Sequence, residues 1–142
     1  NDTETGPELR EQLAALGAQE ISVLLPRITS GALTPTPQDD ESATYCRLFT
    51  KDDATLDPTA YSAEQAERHV RAHLGFPKTK VTIAGHQVIV TKAHVTSPAE
   101  DFTATPLDVL CADGRYLTID ELIGPSGKKM PSQAFLNGYL RG

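Results

Sequence analysis

The stretch GALTPTPQDDESATYCRLFTKDDAT, residues 31–55, carries two prolines, five carboxylates and two basic residues. Pro35 and Pro37 hold the backbone extended and remove two amide donors. Asp39, Asp40 and Glu41 need water. A segment of this kind cannot close on itself, so it is read as an extended acidic linker lying on a surface. It divides the chain into a helix-like pattern over residues 1–30 and a strand-rich pattern over residues 56–142. A hydrophobic content of 39% in 142 residues is enough for one modest core, and the alternation needed to build it lies after the linker.

In the first part, Leu9, Leu13, Leu16, Val23 and Leu24 fall on one side of a 3.6-residue helix, with Glu8, Arg10, Glu11 and Gln12 near its start. The pattern predicts an amphipathic helix detached from the later core. Pro26 lacks the amide that would bond Ser22, which predicts a break or kink over Ser22–Pro26. The chain starts at Asn1, without methionine and inside a capping segment, and is read as a fragment of something longer.

Residues 56–142 predict an α+β unit, mainly β with flanking helices. Ser62-Ala-Glu-Gln65 is a capping box and Gly75 is the matching stop, with Ala66, Val70 and Leu74 as the apolar stripe. Val81 and Ile83 alternate with Lys78, Lys80 and Thr82, giving a strand with one apolar and one basic face. Gly85 turns it into the next strand. Further on, Asp113-Gly114 marks a hairpin. A two-residue loop there would pair Cys111 with Tyr116 and put Leu117 on the wrong face. A three-residue loop, Ala112 to Gly114 with a left-handed Gly114, sets Val109 opposite Leu117 and Leu107 opposite Ile119. A last helix starts at Pro131 or Ser132 and carries Phe135, Leu136, Tyr139 and Leu140. The whole predicts a small antiparallel barrel with helices around it.

Charge is unevenly spread. The formal net charge is -6, which as an average argues against nucleic acid. Between Glu67 and Glu100, however, there is no acid at all, and Arg68, Arg71, Lys78, Lys80 and Lys92 all fall there. These five form the predicted phosphate-binding patch, with Lys128 and Lys129 widening it. His69 and His73 have the i, i+4 spacing of a zinc pair, but no HExxH motif, carboxylate ligand or cysteine partner accompanies them, so no metal is assigned. Cys46 and Cys111 form no CxxC and are read as structural thiols. No apolar run is long enough to span a bilayer, and no secretory signal is recognisable. The expected location is cytoplasmic.

Three ordered stretches, LTPTPQDDESATYCRLFTKDDATLD, SAEQAERHVRAHLGFP and IGPSGKKMPSQAFLNG, resemble the linker, a helix with a proline turn and the closing segment of methionyl-tRNA formyltransferases. The resemblance covers nearly the whole chain. It implies that residues 1–30 are the terminal helix of a missing catalytic domain, residues 31–55 the interdomain linker and residues 56–142 a C-terminal domain related to the OB-fold. It implies initiator tRNA as partner, for which the charge pattern offers Arg68, Arg71, Lys78, Lys80, Lys92, Lys128 and Lys129 as contacts. It also implies 10-formyltetrahydrofolate as co-substrate of the full-length enzyme, and none in this part. The Asn, His and Asp set with which the family catalyses formyl transfer has no match here, so the chain alone is expected to be inactive. Val23 to Arg27, VLLPR, is similar to a loop of the family's catalytic domain but sits in the predicted helix, and is rejected as an active-site loop. Asp57-Pro58-Thr59 stands where the family has a tryptophan, and Thr96 to Thr105 is short, so the barrel is expected to be reduced or open. The exposed first helix is expected to self-associate. Two rival readings are a related formyltransferase or formyl-folate hydrolase domain, and an independent OB-type single-strand binder. The latter needs stacking aromatics, of which only Tyr116 is placed.

Overall fold

The structure, a computed structural model, describes residues 3–140. Its first element, α1 (Gly6–Thr29), opens on a capping box: the Glu8 amide donates to the Thr5 hydroxyl, and the Glu8 carboxylate accepts the Thr5 amide at 2.8 Å. Of the predicted break or kink, the break is not found: the helix runs through Pro26. The carbonyl that Pro26 leaves unbonded belongs to Ser22 on an exposed helix, where solvent replaces the lost partner, while the Ser22 hydroxyl bonds back to the Ala18 carbonyl at 2.8 Å. The helix ends at Ser30, followed by left-handed Gly31.

No residue of α1 is buried. Leu9, Leu13 and Leu16 share a face, but Ile21, Leu25 and Ile28 are turned from it by roughly a third of a turn at 100° per residue. The predicted stripe, on which Val23 and Leu24 also fall, is therefore joined by a second apolar strip. Among the described residues, its N-terminal end meets α2. Gly6 lies against the Ala72 carbonyl so closely that a Cβ there would sit 2.2 Å from it, and the Arg71 guanidinium donates to the Glu4 carbonyl at 2.7 Å.

The acidic segment that follows is almost entirely exposed, with Tyr45 and Leu48 about 90% exposed and short turns at Asp40–Ser42 and Asp52–Ala54. The chain enters the core at Ala54 and Leu56, and the Leu56 amide bonds the Lys80 carbonyl at 3.0 Å. Helix α2 (Ala63–Ala72) then starts on the predicted Ser62/Gln65 box and buries Ala63, Ala66 and Val70. Its end differs from the sequence reading. His73 is the C-cap, and the left-handed residue beyond it is Lys78, with φ 68°, not Gly75.

Five antiparallel strands form one open sheet: β1 (Lys80–Ile83), β2 (His86–Thr96), β3 (Asp108–Leu110), β4 (Tyr116–Ile123) and β5 (Lys129–Pro131), ordered β1-β2-β4-β3, with β5 also on β4. The sheet does not close. The β3–β4 hairpin has the predicted register, with Val109 opposite Leu117, the Ile119 amide on the Leu107 carbonyl, and Gly114 left-handed at φ 76°. The same device recurs unforeseen at Pro125-Ser126-Gly127, which joins β4 to β5 with Gly127 at φ 77°. The chain closes on α3 (Ser132–Phe135) and a π turn to Leu140. Val81, Ile83, Val88, Val90, Leu117, Ile119 and Leu122 pack beneath α2, with Phe135 sealing the C-terminal side.

The β1–β2 loop has positive φ at both Ala84 (46°) and Gly85 (82°), a type I′ turn that suits the sheet's twist. Alanine is a poor residue there, because its Cβ crowds the carbonyl in the left-handed region. Ala84→Asn is expected to raise stability by about 0.5–1 kcal/mol, read as a higher urea midpoint at constant m.

Candidate nucleic-acid interface

Two irregularities in the sheet decide which polar side chains share a face. In β2, both Val90 and Ala93 pack on the core, although residues three apart on a regular strand point opposite ways. The register shifts on either side of Lys92, so Thr91 and Lys92 both turn outward. In β4, Ile119 and Leu122 make the same demand, which sends Asp120 and Glu121 outward.

On that outer face Lys80, Ile89, Ile123 and Lys129 are successive partners across β1, β2, β4 and β5. Cross-strand partners point the same way, so two half-buried isoleucines lie between two lysines. Lys92 stands opposite Glu121, whose carboxylate accepts from Lys129 Nζ at 2.8 Å and from the Thr91 hydroxyl at 2.9 Å. The bond from Lys129 first, then that from Thr91, with the nearby Lys92 charge adding, hold Glu121 below the usual carboxylate range. Two cations, Lys92 and Lys129, thus flank one carboxylate. The other end of the face is acidic: His94 meets Asp120 at 3.0 Å, and the Thr118 hydroxyl donates to Asp108 at 2.7 Å.

The predicted patch is therefore split. Lys80, Lys92 and Lys129 come together on the outer face, with exposed Lys128 in the adjoining β4–β5 turn. Lys78 is not on the strand but in the turn before it. Arg68 and Arg71 lie on α2, which covers the opposite face. Arg71 is half-buried, its Nε donating to Glu67 at 2.7 Å and a terminal nitrogen to the Glu4 carbonyl. Arg68 is exposed and lines the cleft between α1 and α2 with Gly6, Leu9 and Gln12. Tyr116 is half-buried under Phe102, ring centroids 5.0 Å apart, which removes the free stacking face considered for it. Glu121, Ile89 and Ile123 were not foreseen. The three-residue steps Val90–Ala93 and Ile119–Leu122 inside alternating strands were the signal for them.

Elsewhere, His69 and His73 stack edge to face at 4.1 Å, and among the described residues no group of three or more His, Cys, Asp or Glu is gathered as for a metal. No helix among the described residues is long and apolar enough to cross a membrane.

The family model described as formyl transferase, C-terminal domain, matches residues 49–140. Methionyl-tRNA formyltransferase of Halorhodospira halophila is 35% identical over 143 residues, covering 95% of this chain and 46% of the relative. That of Carboxydothermus hydrogenoformans is 37% identical over 146 residues, covering 98% and 47%. The chain thus spans about half the length of these relatives. Among solved structures, a substituted HypX from Aquifex aeolicus superposes with TM-score 0.59 at 21% identity, over 86% of this chain and 23% of that one. HypX in complex with tetrahydrofolic acid gives TM-score 0.56 at 22% identity, over 83% and 22%; at such identity the likeness speaks for the fold. The match over residues 49–140, in the same open sheet and capping helix described above, establishes that the chain belongs to the formyl transferase C-terminal domain family.

Proposed function

We propose that this chain is the tRNA-gripping part of a cytoplasmic methionyl-tRNA formyltransferase. A catalytic domain preceding it would transfer the formyl group of 10-formyltetrahydrofolate to the amino group of initiator methionyl-tRNA. The observation that carries the reading is the alignment of relatives of that name over 95% of the chain and more. In this reading α1 packs its apolar surface on the catalytic domain, and the acidic segment spaces the two parts. The C-terminal sheet is a reduced relative of the OB-type barrel. Its two edge strands support this, since Lys80 to Thr82 of β1 and Val109 of β3 border one cleft, wedged by Leu56 to Pro58. Binding energy gathered on this part serves orientation of the acceptor end, not bond making.

The outer-face lysines are the proposed contact, because Lys80, Lys92 and Lys129 ring a flat, half-apolar strip that phosphates can approach. The helix arginines are assigned no such role. With about three phosphates engaged, log affinity for tRNA falls against log salt with a slope of magnitude about 3. Replacing Lys80, Lys92 and Lys129 together by alanine should reduce that slope by about 3 and weaken binding in low salt by at least about a hundredfold. Arg68→Ala should leave both within about twofold. Filter binding across a salt series, with unfolding curves as a control for folding, reads both. Loss on Arg68→Ala with retention in the triple variant would overturn the assignment of the face. No tRNA binding by the parent chain would favour a related formyltransferase domain serving another substrate. Single-turnover assays of the chain with methionyl-tRNA and formyl donor should show no transfer.

A further inference from the structure

The end of the acidic segment meets α2 through Phe49 and the Asp53 backbone. Phe49 sets its ring edge-on against His73, with centroids 5.1 Å apart, and His73 in turn meets His69 at 4.1 Å. His69 Nδ1 bonds the Thr79 hydroxyl at 2.9 Å, and Thr79 is fully buried. Tyr61 tilts over the outer side of His69, at 5.9 Å. Beside Phe49, Asp53 draws the segment into a tight loop, accepting from the Arg47 guanidinium and from the Thr50 amide at 2.7 Å. His73 is 7% exposed and its Nδ1 has no hydrogen-bond partner.

We propose that the His69–His73 pair is a pH-sensitive latch that holds residues 47–53 against the domain when both rings are neutral and releases them when the pair takes up a proton. Two imidazoles in contact cannot both be charged at low cost, and a charge on His73 would be buried with an unbonded N–H. The groups facing the pair do little to offset this. Asp53 lies nearest, but its carboxylate is engaged by Arg47 and Thr50. On α2, Glu67 is engaged by Arg71, whose own charge repels a third cation. Lys78, beyond the helix end, adds another positive charge, and Thr79 carries none. The simplest relief is to lift Phe49 and let water reach His73. Burial first, then the neighbouring ring, depresses the His69 pKa, with the Asp53 backbone opposing; burial likewise depresses that of His73, with the Asp53 charge opposing. For a depressed histidine the sign is fixed: its contribution is whole above the ordinary value near 6.5 and is lost as pH falls below it. Such a latch would loosen the tether to any preceding domain in acid without unfolding the core.

The test is NMR of the full chain between pH 7.5 and 5. At pH 7.5 a cross-relaxation peak joins the Phe49 ring to His73 and the Thr50 amide is protected. By pH 5 the peak should vanish and Thr50 exchange should rise at least about tenfold above its intrinsic pH trend, while Leu117 and Leu122 methyls stay in place. His73→Phe keeps the ring contact and cannot be protonated, so it should hold the segment down to pH 5. Phe49→Ala should free it already at pH 7.5 with the core unchanged, which keeps the proposal testable if the His73 variant fails to fold. An unchanged Phe49–His73 peak at pH 5 in the parent, or acid release persisting in His73→Phe, would overturn it.

Discussion

Phe135→Ala is expected to cost about 3–5 kcal/mol of unfolding free energy, a large share of the roughly 5–15 kcal/mol that holds a domain together. Phe135 is fully buried, stacks on Tyr139 at 4.9 Å and meets His86 edge-on at 6.1 Å. It also fills the space above Gly124, where its ring lies 3.8 Å from the position a Cβ would take. Helix α3 has four residues and no side-chain cap, so it has no stability of its own and exists because this ring anchors it to β4. Truncation should lower the urea midpoint at constant m and release the amides beyond Ser132 together. Gln133→Ala, on the exposed side of the same turn, should change stability by no more than about 0.5 kcal/mol. Equal losses in the two variants would show that the segment is held by its backbone and not by the ring.

A second large effect is expected from α1. Leu9, Leu13, Leu16, Ile21, Val23, Leu25 and Ile28 are each at least half exposed or nearly so, and covering a leucine stabilises by about 1.5–3 kcal/mol. With the proposed catalytic domain absent, a second copy of α1 is the nearest apolar surface available. Sedimentation velocity should show association that grows with concentration. Leu13→Glu with Leu25→Glu should weaken it at least about a hundredfold. The same pair of substitutions should leave the core's unfolding transition unmoved, because no α1 residue contributes to that core. A parent chain that stays monomeric at all concentrations would refute the idea, as would a double variant with a lower unfolding midpoint.

Much of the fold was legible because it is written in short-range chemistry. The Ser62/Gln65 box, the Ala112–Gly114 loop and the Val109–Leu117 register each depend on residues within a few positions of one another, and the structure has them as read. The candidate site was half legible. An acid-free stretch announced its cations, yet one-dimensional proximity put Arg68 and Arg71 with Lys80, when a helix packed on one face of a sheet and a lysine on the other are separated by the core itself. Pro26 misled for a related reason. Its penalty is severe where nothing replaces the lost bond, and α1 is exposed enough for water to do so.

What the sequence determined by itself is local: a proline-rich acidic segment with little to bury, the caps that open α1 and α2, and an alternating half that must make a core. What only the tertiary structure decided is which charges act together. Lys92 and Lys129 are distant in sequence and meet at Glu121 because β2 and β4 each take an extra residue to keep Val90 and Ala93, and Ile119 and Leu122, on the core. A bulge is the compromise between a strand's two-residue period and the demand of its neighbours for apolar contact. That demand comes from packing partners far along the chain, so no local window of residues contains it.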